Sequence, residues 1–249
     1  MKSKPISPKD AFERDGFAIL PGFFLSNEIK DIEHAVENFI YEQIHKLPPQ
    51  HVFYEDKNNK STLKQIQHLH EHSEFFHDLI NDKPRQLAAK LLGEEVEPKN
   101  LQYFNKTHRT GKATPPHQDG YYFMLKPCSA ITIWLALDVA DEENGCVRYL
   151  PKSHTHGLRP HVRTQVLGFS QCIDNYNSET DEVSCPALPG DVLAHHALTI
   201  HRAKENNSPT RNRRALGFVF YGLSANEDKQ AHESYQRKLR SELVESGRI

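Results

Sequence analysis

A histidine and an aspartate stand two positions apart in Pro115-Pro116-His117-Gln118-Asp119-Gly120. On a strand end, side chains two apart share a face, so one imidazole nitrogen and one carboxylate oxygen would point the same way. Those are two ligands of a non-haem iron site. A second histidine from a distant strand would complete a two-histidine, one-carboxylate triad and leave coordination positions open. The pair alone recurs by chance, so its downstream partners decide. In VLAHHALTIHRA, His201 ends an apolar strand that begins at Val192, with His195 and His196 as competitors on the same strand. An arginine pair, Arg213 and Arg214, then opens RRALGFVFYGL. A 2-oxoglutarate molecule held on iron by its keto-acid end needs its far carboxylate neutralised, and a guanidinium does this with a planar fork. By alternation Arg213 shares a face with Ala215, Gly217 and Val219, whereas Arg214 shares one with Leu216, Phe218 and Phe220. The smaller neighbours favour Arg213 without separating the two.

Other chemistries find less support. The chain has sixteen histidines, and HLHEH (His68, His70, His72) places two of them four apart, but no zincin pattern accompanies them and a solvated helix or loop is expected. Glycine-rich phosphate loops are absent. Cys146 has no base beside it, and the four cysteines form no CxxC pair, so neither a thiolate zinc site nor a disulfide framework is expected.

The elements that must position these residues fall into two regimes. Ile29, Ile32, Val36, Phe39 and Ile40 recur three or four apart behind Ser26, predicting a helix over about 27–46 with serine as its N-cap. A second helical region is expected over about 74–92, closed by Gly93. From residue 100 the period becomes two. Ile131, Ile133, Leu135, Leu137 and Val139 alternate with Thr132, Trp134, Ala136 and Asp138, a strand with one face in the core. Short strands and turns follow, and a charged surface helix is expected from about 226. Helices first and strands after point to a mainly β fold with flanking helices. With no repeat and no linker, one domain is expected, with a helical part over about 1–98, a β core over about 100–223 and a terminal helix over about 226–249.

Four segments carry a family resemblance. FERDGFAILPGFF, TPPHQDGYYF, ENGCVRYLPKSHTHG and PGDVLAHHALTIHRAKEN are similar to successive blocks of the phytanoyl-CoA dioxygenase family, and the likeness runs from about 12 to 222. Lys152 replaces a usual glycine, and Ala203 stands where serine is frequent. The resemblance implies a double-stranded β-helix core of the jelly-roll, cupin-like type, with Fe(II), 2-oxoglutarate and O2 as its cofactor and cosubstrates. It implies His117, Asp119 and His201 as catalytic metal ligands, and Arg213, Lys64 (from KQIQHLHEHSEFF), Gln102, Thr132 and Trp134 as cosubstrate contacts. Relatives that halogenate carry a small residue in place of the aspartate, so Asp119 implies hydroxylation.

Composition bounds the partners. A net charge of −2 argues against nucleic acid, no apolar run approaches a membrane span, and MKSKPISPKD lacks a signal peptide's apolar stretch. A cytoplasmic monomer or homodimer acting on a small molecule is expected. Arg148, His154, His156, Arg159, His161, Arg163, Arg202 and Lys204 suggest an anionic group on the substrate, and Tyr103, Tyr121 and Tyr122 an ammonium group. Together these suggest a small zwitterion such as an aminoalkylphosphonate. An acyl-CoA or other lipid-like substrate is the alternative, and a zinc-binding or non-catalytic β-barrel is the rival class; a zinc hydrolase would have no need of Arg213.

Overall fold

Apolar residues at helical spacing build one side of the molecule. The computed structural model describes residues 6–177 and 181–249. Its helices are α1 (Pro8–Asp15), α2 (Ser26–Glu42), α3 (Leu69–His72), α4 (Glu74–Asn81), α5 (Lys83–Leu92), α6 (Gly120–Phe123) and α7 (Lys229–Glu245). On α2 the predicted stripe is the buried one, Ile29, Ile32, Val36 and Phe39. The helix stops earlier than expected, with a separate 3-10 turn over Ile44–Lys46. Its N-cap is Leu25 rather than Ser26, and the Glu28 carboxylate accepts from the Leu25 N–H at 2.8 Å, satisfying an end donor that a serine hydroxyl was expected to satisfy. The second helical region is broken at Asp82, where Pro84 starts α5 afresh, and Gly93 closes it in the left-handed conformation.

The strands are β1 (Phe17–Leu20), β2 (Val52–Tyr54), β3 (Leu63–Ile66), β4 (Val96–Lys106), β5 (Thr114–His117), β6 (Leu125–Lys126), β7 (Ala130–Ala136), β8 (Val147–Tyr149), β9 (His161–Val166), β10 (Phe169–Ile173), β11 (Val183–Cys185), β12 (Val192–His196), β13 (His201–Ala203), β14 (Arg213–Gly222) and β15 (Asn226–Glu227). A major sheet runs β1-β12-β7-β14-β4-β3-β2 and a minor sheet β11-β8-β13-β5, all antiparallel; β9 and β10 form a separate hairpin. The fold is the jelly roll expected from the resemblance.

Strand β7 is buried along its whole length, so the expectation of one core face needs correction. Ile131, Ile133 and Leu135 join the apolar core beneath α2, α4 and α5, while Trp134 and Ala136 join a smaller cluster between the two sheets with Tyr149, Val147 and Leu193. Each fully buried Ile or Leu contributes about 1.5–3 kcal/mol, and this two-sided burial makes the major sheet the rigid floor of the molecule. The single strand expected from Val192 to His201 is two strands. Strands β12 and β13 belong to opposite sheets, joined by a turn over 197–200. The HLHEH segment is not simply solvated, since His68 packs on His51 at 4.6 Å and His70 Nδ1 accepts from the Leu101 N–H at 3.3 Å. Among the described residues no helix is long and apolar enough to cross a membrane.

His196, the last residue of β12, has its ring between Phe12 and His154, and its Nδ1 accepts from the Leu198 N–H at 3.0 Å. Burial, with the nearby histidines, lowers its pKa to about 4. Between about pH 6.5 and 4 the unfolded chain takes up a proton that the native ring refuses, so stability present above pH 6.5 is lost as pH falls towards 4. A His196→Asn variant keeps an acceptor near Nδ1 but cannot titrate. Urea unfolding across this window should show a shallower loss for the variant, by at most about 1.4 kcal/mol per pH unit; an unchanged slope would refute this account.

Candidate metal centre

The two histidines expected as ligands face each other across the minor sheet. His117 ends β5, His201 begins β13, and the two are paired residues in the ladder. Each ring has its Nδ1 against the carbonyl two residues earlier, His117 on Pro115 O at 2.8 Å and His201 on Thr199 O at 3.0 Å. A carbonyl only accepts, so each Nδ1 carries the proton and each Nε2 presents a bare lone pair. Both Nε2 atoms face Asp119 Oδ1, at 3.5 and 3.7 Å, and the three side chains offer ligand atoms all within 4.8 Å of one another. Three lone-pair donors converging without a proton between them suit a divalent cation.

The geometry of the His-x-Asp segment differs from the expected strand alternation. Asp119 lies beyond β5 in helical conformation, at φ −57° and ψ −34°, as the cap of α6. The intervening Gln118 makes that turn possible. It is fully buried, donating to Gly157 O and Leu198 O at 2.9 and 2.7 Å and accepting from the Arg159 N–H at 2.8 Å. Gly120 follows because a Cβ there would sit 2.6 Å from Cys128 Sγ. Sequence reading missed Gln118, and its only signal was position inside the motif.

Asp119 Oδ2 is 2.6 Å from Thr132 Oγ1 and 3.1 Å from His195 Nε2. Burial alone would push this carboxyl up, and the hydrogen bond from His195 Nε2 lowers it. His201 is driven well below its ordinary value, first by burial and then by the neighbouring histidines, which keeps it neutral as a ligand must be. Among the expected site residues, Thr132 is thus in contact with Asp119 itself. His196 points away from the centre, into the α1 contact described above.

The arginine pair separates cleanly. Arg214 binds Asp138 at 2.8 Å and Glu33 at 2.6 Å, tying β14 to α2. Arg213 faces the opposite way. It is 5% exposed, its Nε has no hydrogen-bond partner, and its guanidinium lies 5.3 Å from the centre of the Trp134 ring. Burial lowers its pKa to about 10. A buried cation without an anion is costly, and an entering carboxylate would relieve that cost. Arg213, Trp134, Gln102 and Lys64 all line one cavity of about 1160 Å³ with His117, Asp119 and His201. Lys64 stands on β3, not on a helix, with Nζ 2.8 Å from Glu55, and Gln102 Oε1 accepts from Gln65 at 2.7 Å. Lys106, directly opposite Arg213 in the ladder, is a further buried cation in this wall that sequence reading missed.

The outer wall was also unforeseen. Helix α7 presents His232, Tyr235, Leu239 and Leu243 to the cavity, one stripe at helical spacing. It is fastened to the β9–β10 hairpin by Tyr235 on Ser170, Glu242 on Arg163, and Arg248 on Gln165 O. The expected aromatic cluster does not form. Tyr103 is in the apolar core, Tyr121 stacks on His161 at 4.4 Å, and Tyr122, which does line the cavity, spends its hydroxyl on the Gln171 backbone. Most of the expected free cations are paired, Arg148 and Arg202 with Glu142 and Glu182, and Arg163 with Glu242.

The family model described as phytanoyl-CoA dioxygenase (PhyH) matches residues 12–215. The peroxisomal phytanoyl-CoA dioxygenase of Mus musculus is 24% identical over 250 residues, covering 94% of this chain and 73% of that protein. The phytanoyl-CoA dioxygenase of Arabidopsis thaliana is 29% identical over 208 residues, covering 76% and 71%. Among solved structures, EvdO2 from Micromonospora carbonacea var. aurantiaca complexed with 2-oxoglutarate is similar at a TM-score of 0.71 and 26% identity, covering 91% of this chain and 94% of that one. EctD from S. alaskensis with 2-oxoglutarate and 5-hydroxyectoine has the same fold at a TM-score of 0.73 and 19% identity, covering 92% and 80%.

Truncation should distinguish the two arginines. Losing a buried contact to a carboxylate costs about 2–5 kcal/mol, so Arg213→Ala should weaken 2-oxoglutarate binding by more than tenfold in a calorimetric titration. Arg214→Ala should leave that affinity nearly unchanged and lower the melting temperature instead. The reverse pattern would mean that the clamp lies on the other face of β14.

Proposed function

As a member of the phytanoyl-CoA dioxygenase family, to which the match over residues 12–215 assigns it, the chain is an iron(II)- and 2-oxoglutarate-dependent dioxygenase, and we propose that it hydroxylates an anionic substrate at a centre made by His117, Asp119 and His201. When bound, iron with 2-oxoglutarate and O2 supplies oxidative decarboxylation coupled to oxygen insertion into a C–H bond. The chain's own part is binding and orientation. The Pro115 and Thr199 carbonyls keep both ligand imidazoles in the metal-binding tautomer. Arg213 receives the far carboxylate of 2-oxoglutarate, with Trp134 flanking its guanidinium and Gln102 and Lys64 on the same wall. The observation that carries this reading is a buried arginine that forms no ion pair among the described residues, in one cavity with a converging His-Asp-His set. A zinc hydrolase would leave that cation without a use.

The substrate reading changes in part. Tyr103 and Tyr121, two of the three tyrosines expected around an ammonium group, lie outside the cavity. The anion is retained, since lysines and arginines outnumber carboxylates along the cavity wall, with Lys112, Arg237 and Arg240 towards the outer side. The volume also exceeds the roughly 300–1,000 Å³ typical of sites for drug-sized ligands. Val166, Leu167, Phe169, Leu239 and Leu243 add an apolar stretch. These features support an anionic substrate with an apolar portion, and they raise an acyl thioester above an aminoalkylphosphonate. The four cysteines are unpaired, which supports a reducing compartment such as the cytosol.

Asp119→Ala should abolish succinate formation and reduce iron content after reconstitution, whereas wild type retains one iron per chain. Stoichiometric iron in a His117→Ala/His201→Ala double variant would sink the ligand assignment. For the substrate, succinate release is measured across acyl-CoAs, simple carboxylates and small zwitterions. Coupling to an anion with an apolar portion is expected, and coupling confined to small zwitterions would refute the revised reading.

A further inference from the structure

His195 stands beside the metal-binding side chains, yet it does not belong to the converging set. It is 3% exposed, and its ring centre is 4.2 Å from that of His201. A buried histidine needs partners for both ring nitrogens. Its Nε2 lies 3.1 Å from Asp119 Oδ2 and its Nδ1 lies 2.9 Å from the Tyr149 hydroxyl. An ionised carboxylate only accepts, so Nε2 carries the proton, and in the neutral ring Nδ1 accepts from Tyr149. Tyr149 is itself fully buried and stacked on Phe17 at 4.6 Å. The second donor to Asp119 Oδ2, Thr132 Oγ1 at 2.6 Å, is the residue directly opposite His195 in the β12–β7 ladder. One rung of the major sheet therefore delivers both donors to a single oxygen of a residue anchored on the minor sheet.

We propose that His195, set in its tautomer by Tyr149, is a positioning residue that with Thr132 ties up Asp119 Oδ2 and leaves Oδ1 as the one oxygen offered to the metal. Carboxylates bind divalent cations through one oxygen or through two. A two-oxygen grip would take a coordination position that an oxygenase must keep open. Saturating Oδ2 with two donors opposes that grip and aims Oδ1 at the His117 and His201 nitrogens. The proposal rests on the reading that His117, Asp119 and His201 hold the metal.

The test uses the full chain, freed of metal and titrated with Co(II) alone, with affinity from calorimetry and ligand geometry from the visible absorption spectrum. His195→Phe keeps the ring and its packing but removes the donor. His195→Gln keeps an amide N–H near the position of Nε2. The Phe variant should bind Co(II) about 10–100-fold more weakly with an altered spectrum, the Gln variant should recover most of that loss, and Tyr149→Phe should fall between them. All three should melt near the wild-type temperature without metal. Wild-type affinity and spectrum in His195→Phe would overturn the proposal, as would a folded Gln variant that binds no better than Phe. If His195→Phe does not fold, Tyr149→Phe decides: a loss supports the proposal and no change overturns it. Wild type that binds no Co(II) would refute the metal centre itself, a result distinct from equal binding by wild type and variant.

Discussion

Two imidazole lone pairs and a carboxylate oxygen are brought together with no proton to share, and much of the surrounding structure follows from that constraint. Such a cluster repels itself unless a cation sits in it, so each member must be held from behind. The histidines are held by carbonyls two residues upstream, Pro115 O and Thr199 O. The carboxylate is held by donors from the other sheet, Thr132 and His195. The converging groups thus come from the minor sheet and its exit turn, and the support of the carboxylate comes from the major sheet. Separating the sheets by one side-chain layer is what lets both reach the same point. The apolar cluster of Trp134, Ala136, Tyr149 and Leu193 between them keeps that spacing and lowers the local dielectric in which these contacts act.

The same division orders the charges. Strand β14 runs through the middle of the major sheet, with one face towards the helices and the other towards the cavity. Consecutive arginines at its start meet opposite environments. Arg214 is surrounded by Asp138, Glu33 and Glu37 and acts as a structural tie. Arg213 forms no ion pair among the described residues, and its Nε has no hydrogen-bond partner there. Lys106 and Lys64 lie on the same side, with Glu55 close to Lys64 and Glu55 and Glu205 the acids felt by Lys106. Basic side chains gathered in a buried wall are each costly to desolvate, so their stability is a poor reason for the arrangement. The arrangement is intelligible as a place where a dianionic cosubstrate completes the electrostatics.

Much of this was legible in the sequence because local rules carry it. Period two on β14 put Arg213 and Arg214 on opposite faces without deciding between them, and three-four spacing on α2 marked the buried stripe. The His-x-Asp pair was found, but for an incomplete reason. Its shared direction comes from a turn fastened by Gln118, whose partners Gly157, Arg159 and Leu198 are distant in sequence. Strand alternation could not reveal that. Treating 192–201 as one strand hid the sheet switch, and with it the separate duties of His195 and His201. The tyrosines were misassigned for a related reason. Tyr103 on β4 faces the helical core, a matter of which face each sheet turns inward, and composition near a motif does not encode it.

The outer wall was the least legible part. Helix α7 has a weak apolar stripe and no fully buried residue, so its sequence reads as a solvated surface helix. It gains its place by polar ties to the β9–β10 hairpin, long-range pairs that no periodicity announces. Thr132, Trp134 and Arg213 stand on the central strands β7 and β14, whose faces are fixed by burial on both sides, where a one-residue slip would turn every side chain over. The cavity-facing residues of α7 and the hairpin stand on elements joined mostly by exposed contacts, where a changed side chain disturbs no core. Substitution on that wall can alter what is admitted while the centre stays as it is. The converging His-Asp-His set and Arg213 therefore rest on the two sheets, whereas the hairpin and terminal helix that close the cavity rest on exposed contacts.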